Sequence, residues 1–195
     1  MSHRASVASV LLLGPLCLGA CGGTMKATQF TNPKFNFAFV QRVAVLPFDN
    51  ESIDRQASLR ATRFAITELL ATGAVEVVEP GEVQAALVKI VGAVPGRPVT
   101  PSTEQVLALG KALNVQGLLL GSVTQSENLR SGAVPIPVVT VDLHLVETET
   151  GATVWATTHS EKGGSLEARV LGTGGEPIAE TTRRCVQRAL ETLVK

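Results

Sequence analysis

Histidine and cysteine are scarce in this 195-residue chain, with three of each. Past the first twenty residues only His144, His159, Cys21 and Cys185 remain, at no short spacing. A zinc site needs three or four such ligands, so none is expected. Gly121-Ser122 lacks the rest of a nucleophile elbow. Gly172-Thr-Gly-Gly175 precedes a helix but lacks the Lys-Ser/Thr ending of a phosphate loop, and no Gly-x-Gly-x-x-Gly follows a strand. It reads as a flexible loop. With no catalytic or metal constellation in view, the expectation is a protein that is not an enzyme and carries no metal or dissociable cofactor.

An excess of charge is missing as well. Seventeen basic residues face seventeen acidic ones. A nucleic-acid binder should be markedly basic on one face, so no nucleic-acid partner is expected. Nor is there, beyond the N-terminus, an apolar run of the roughly 20 residues that a membrane-spanning helix needs.

The N-terminus is where the pattern is strongest. His3 and Arg4 precede an apolar run from Val7 to Leu18, and Leu18-Gly19-Ala20-Cys21 follows. The run is too short to span a bilayer and fits the apolar core of a secretory signal, about 7–15 residues. Its ending resembles the bacterial lipobox, which implies cleavage between Ala20 and Cys21 and acylation of Cys21 by a diacylglycerol and an N-linked acyl chain such as palmitate. Stable anchoring takes at least two chains, which a triacylated cysteine supplies. Gly22 stands where inner-membrane lipoproteins carry Asp. The resemblance therefore implies the periplasmic face of the outer membrane. Cys17 leaves with the signal, and an acylated Cys21 leaves Cys185 without a disulfide partner.

Residues 21–41 read as a lipidated tether with a Phe-rich arm. Phe35, Phe37 and Phe39 alternate, which places them on one side of an extended segment. They either pack on the domain, the favoured reading, or touch lipid or a neighbouring subunit. Trp155, the single tryptophan, is read as packing or as a partner hot spot.

Residues 42–195 read as one domain. Arg42–Phe48, Val75–Val78 and Gly117–Val123 are short buried strands, and Val138–Val146 pairs with Ala152–His159 as a hairpin. Helices are predicted over Ser58–Thr72, ended by Gly73; over Glu82–Val91; from a Ser102/Gln105 capping box; and from Pro177 to the C-terminus. Thr124–Pro137, with Pro135 and Pro137, is predicted to be a loop or distorted edge. The first helix carries Leu59, Phe64, Ile66, Leu69 and Leu70 at helical spacing. In the hairpin, Val139, Val141, Leu143 and Leu145 point to the core, and Asp142 and His144 away from it. Cys185 falls on the apolar face of the last helix. The order βαβααβββα predicts an α/β (α+β) fold, a mixed sheet with helices packed on it.

The motifs Arg42-Val-Ala-Val-Leu-Pro-Phe-Asp-Asn50, Glu76-Val-Val-Glu-Pro80, Gly110-Lys-Ala-Leu-Asn-Val-Gln-Gly-Leu-Leu-Leu-Gly-Ser-Val123 and Val146-Glu-Thr-Glu-Thr-Gly-Ala-Thr-Val-Trp155 resemble the superfamily of the curli secretion channel lipoprotein (CsgG-like) and the LpoB-type activator of a penicillin-binding protein. The resemblance spans most of residues 42–195 and implies an anticodon-binding or TolB N-terminal-like core. It implies an envelope protein partner, such as a cell-wall synthase or secretion component, or a homo-oligomeric export channel. Ser126–Pro137 and Lys162–Glu176 are short and broken by Pro or Gly, where the channel family has long membrane hairpins. That departure favours a protein-binding and assembly factor over a pore.

Overall fold

The computed structural model describes residues 28–94, 97–131, 134–164 and 176–193. Cys21, Ala20, Gly22 and the Gly172–Gly175 stretch lie outside the described residues. Among the described residues, strands and α-helices follow in this order. They are β1 (Thr28–Thr31), β2 (Arg42–Val45), β3 (Asp49–Asn50), α1 (Ala57–Thr72), β4 (Glu76–Val77), α2 (Pro80–Val91), α3 (Thr103–Leu113), β5 (Gly117–Ser131), β6 (Val134–Glu147), β7 (Thr153–Lys162) and α4 (Ile178–Leu190). The expected mixed α/β architecture is found.

The strands form one sheet in the order β1-β7-β6-β5-β2-β4, with β3 paired beside β5. β2 runs parallel to β4 and β5, while β5, β6, β7 and β1 are successively antiparallel. The apolar runs of β2 and β5 are continuous because both faces of this part of the sheet are covered. Val43, Val45, Leu119 and Val123 join the core under α1 and α4. Ala44, Leu46, Leu118 and Leu120 join a second core under α2 and α3. Among the described residues, no helix of the second layer covers β6 and β7. Val139, Val141, Leu143 and Leu145 are buried as expected, and His144 and Asp142 on the other face are only half-buried.

Helix ends follow local chemistry. Ser102 and Gln105 form the predicted capping box on α3. Gly73 ends α1 with φ +62°, a left-handed conformation that favours glycine. The face of α1 differs from expectation. Its buried stripe is Ala57, Ala61, Ala65 and Leu69, whereas Leu59 and Leu70 are exposed. Small side chains at every fourth position let α1 approach the sheet and α4 closely, and bulk is displaced to the flanks.

Thr124–Ser131 and Val134–Pro137 are strand rather than loop. β5 and β6 stay paired to Ser131↔Val134, with one irregularity between Val123 and Gln125. The Pro137 carbonyl accepts from Gly163 N–H at 2.7 Å, which places the polar edge of that residue on the β7 side. Pro135, two residues away, shares that side. β7 pairs with β6 only as far as Val138↔Lys162, so the missing proline donors fall where no ladder bond is required.

The arm also differs. Thr28–Thr31 adds to β7 as an antiparallel edge strand. Phe37–Phe39 is a 3-10 turn capped by the Asn36 side chain, so Phe35, Phe37 and Phe39 do not share one side of an extended segment. Phe35 and Phe37 pack on the core, edge to face at 5.0 Å, while Phe39 is left largely outside.

Gly110 explains one of the sequence motifs. A Cβ there would stand 2.4 Å from Thr148 Cβ. Thr148 in turn donates to the Val115 carbonyl at 2.6 Å. The glycine lets α3 lie against the β6–β7 turn, whose backbone is gathered by the buried Glu147 carboxylate through Glu149 N–H at 2.8 Å and the Thr150 hydroxyl.

Candidate functional site

The residues singled out by sequence do not converge. Trp155 is fully buried, opposite Leu145 on one side and Thr31 on the other. It presents no surface, so its role in this fold is packing and the partner-contact reading is corrected. Cys185 is also fully buried. Its Sγ lies 3.4 Å from the carbonyls of Val139 and His159. Burial, with Glu161 nearby, pushes the thiol up to about 12, which leaves it protonated and inert at neutral pH.

His144 lines a cavity of about 190 Å³ with Asp49, Glu51, Ser122 and Asp142. Desolvation lowers its pKa, against the pull of Asp142. His159 lies 3.5 Å from Glu161 in a different setting, a structural ion cluster in which Arg188 Nη1 meets Glu161 at 2.7 Å and Arg184 joins from α4. The two histidines therefore belong to opposite faces and separate clusters. Among the described residues, no group of three or more His, Cys, Asp or Glu is placed to hold a metal. No helix among them is long and apolar enough to cross a membrane.

A second polar cluster ties the hairpin to α1. Asp54 pairs with Arg60, and Ser126 donates to Asp54 Oδ2 at 3.1 Å. Desolvation raises the Asp54 pKa, but Arg60, the Gln56 N–H and Ser126 outweigh it and hold the carboxyl below its usual range.

The arm builds what sequence reasoning missed. Phe37, Val40 and Gln41 close over Val43, Leu69 and Val75 to leave an open groove of about 500 Å³. Leu119 and Leu145, both fully buried, form part of its lining. Outside that lining, Phe39 of the same arm is 44% exposed, and Phe30, 51% exposed, points to the opposite face of the sheet from Gln29 and Thr31. The four Phe in a short segment were a visible signal. The groove itself was not, since it exists only where the arm meets β2, α1, β5, β6 and the chain after α4.

No family model matches this sequence, and no curated protein matches it. Solved structures do. A single-substitution variant of the PelC dodecamer from Paraburkholderia phytofirmans is 20% identical with a TM-score of 0.59, over 86% of this chain and 98% of that one. Lipoprotein GNA1162 from Neisseria meningitidis is 17% identical with a TM-score of 0.50, over 68% of this chain and 90% of that one. The LpoB C-terminal domain from Salmonella enterica is 16% identical at a TM-score of 0.47, over 62% and 81%, too loose a likeness to argue from. At these identities the likeness is one of fold, and the fold is that of PelC and lipoprotein GNA1162.

Proposed function

We propose that the chain is a bacterial envelope lipoprotein, anchored through acyl chains on Cys21 at the periplasmic face of the outer membrane, whose domain is a non-enzymatic protein-binding and assembly factor. The observation that carries this reading is the arm. It begins seven residues after Cys21, leaves Phe30 and Phe39 in solvent, and borders an open apolar groove through Gln29, Thr31 and Phe37. Exposed aromatic side chains and open apolar grooves mark interaction surfaces. The fold shared with lipoprotein GNA1162 supports the class.

A second reading, a subunit of a homo-oligomeric ring, is favoured by the likeness to PelC, a dodecamer whose chain is covered almost from end to end. A membrane pore is the weaker form of that reading. The part of the β5–β6 hairpin lying past β7 is four residue pairs long, from Asn128↔Pro137 to Ser131↔Val134. A membrane-spanning strand needs about 9–11 residues.

Light scattering of the lipidated protein in mild detergent, paired with a pull-down from native envelopes, tests both. A monomer that retains an envelope protein, and loses it with Phe30→Ser and Phe39→Ser, supports the assembly factor. A stable multimer supports the ring. Cys21→Ala should leave an unprocessed or soluble species. Retention of that variant in carbonate-washed membranes at unchanged mobility would end the lipoprotein reading.

A further inference from the structure

The groove under the arm has a chemistry of its own. Its volume, about 500 Å³, falls in the range of ligand sites. None of the side chains lining it is ionisable. The polar groups at its edge are neutral. The Gln29 amide donates to the Thr192 carbonyl at 3.1 Å and to the Thr31 hydroxyl at 3.2 Å. A charged ligand would find no counter-ion inside, whereas a hydrocarbon chain would meet aliphatic and aromatic walls throughout. Left to water, those walls would be poorly solvated.

We propose that this groove holds one acyl chain of the lipid carried by Cys21, an inference that rests on the lipoprotein reading. The length of chain between them is the argument. Gln29 and Thr31 of β1 are part of the groove lining, and Cys21 lies seven residues before Thr28. At about 3.3–3.6 Å per residue, those seven residues reach at most roughly 25 Å. Whatever Cys21 bears is thus confined near the groove, at the high effective concentration of a short linker. Bilayer and groove both remove the chain from water, so the hydrophobic effect does not by itself choose between them. Confinement and the covering of exposed groove walls tip the choice to the groove. Stable anchoring needs two chains, so a triacylated cysteine can place its third in the groove and remain on the membrane.

The test uses the full chain in its own membrane. Cells are fed palmitic acid bearing a diazirine, and intact envelopes are irradiated before digestion and mass spectrometry. The expected result is a cross-link from the Cys21 peptide to peptides holding Phe37–Val43 or Leu69–Val75. Ala74→Trp fills the groove from an exposed lining position. It should abolish that cross-link while the lipid on Cys21 and the melting temperature stay unchanged. Gln41→Trp is a second plug should the first not fold. Cross-links from Cys21 to lipid alone overturn the proposal and leave the lipoprotein reading standing. Groove cross-links that persist in Cys21→Ala name free lipid as the occupant and also overturn it. So do cross-links joining isotopically heavy and light copies, which name a second copy. A Cys21 peptide without label overturns the lipoprotein reading, and this proposal with it.

Discussion

Replacing Phe37 by serine removes a ring that packs on the main core and meets Phe35 edge to face at 5.0 Å. Full burial of such a side chain stabilises by about 1.5–3 kcal/mol. Phe37 and Phe35 are only partly buried, so each Phe→Ser change should cost about 1–2 kcal/mol on the same scale. The edge-to-face contact adds a coupling of about 0.5–1.5 kcal/mol. The double variant should therefore lose less than the sum of the singles by that amount. Phe39, 44% exposed and outside the core, should cost under about 0.5 kcal/mol. Urea unfolding of the soluble, unlipidated domain measures this directly. Trp155, the single tryptophan and fully buried, reports the transition by its fluorescence. For a domain of this size each kcal/mol should also lower Tm by about 2–4 °C. Equal costs at Phe37 and Phe39, or no coupling between Phe35 and Phe37, would refute the reasoning and show that the arm is not docked as described.

Cys185 should resist iodoacetamide in the folded domain at pH 8 and react once urea unfolds it; fast labelling of the native protein would contradict its burial and raised pKa. Gly110→Ala should destabilise by about 1–3 kcal/mol through overpacking against Thr148 Cβ, and adding Thr148→Gly, which removes that Cβ, should cost less in the Gly110→Ala background than in the native one in urea titrations. Full tolerance of Gly110→Ala alone would refute the close approach. His144 has a lowered folded-state pKa, so its contribution is intact above about 6.5, its ordinary value, and is lost as pH falls and the unfolded state takes up the proton more readily. His144→Gln should flatten stability over that acid-side window, read by thermal melts, and an unchanged slope counts against it. Asp54, also lowered, contributes above its ordinary 3.8 and is lost as pH falls through its folded-state value. In Asp54→Asn the domain should therefore start less stable at neutral pH and lose less on acidification, and parallel pH profiles would refute this.

Much of the element order was legible because it depends on neighbours along the chain. The capping box of Ser102 and Gln105, the stop at Gly73 and the turn at Glu147–Gly151 act within a few residues, so their positions follow from local pattern. The alternation of Val139, Val141, Leu143 and Leu145 likewise assigned the buried face of β6, since a strand turns its side chains over at every residue. The lipobox-like Leu18–Cys21 belongs to the same kind of information.

Other features needed the chain to fold back on itself. Pro135 and Pro137 argue against a strand from sequence, yet β6 runs through both because β7 stops short and demands no donor from them. The apolar spacing of α1 names Leu59 and Leu70, but how closely α4 and the sheet approach decides that Ala57, Ala61 and Ala65 are the residues inside. Phe35, Phe37 and Phe39 alternate in sequence and then divide, two docked and one outside, once Asn36 caps a 3-10 turn between them. Trp155 lies in a pattern that fits surface or core, and the packing of α4 on its face of β6 and β7 puts it inside. The apolar groove depends on residues from Gln29 to Leu193 meeting in space. Local propensity acts over a few residues; burial depends on which distant segments arrive, and so only the tertiary structure could decide it.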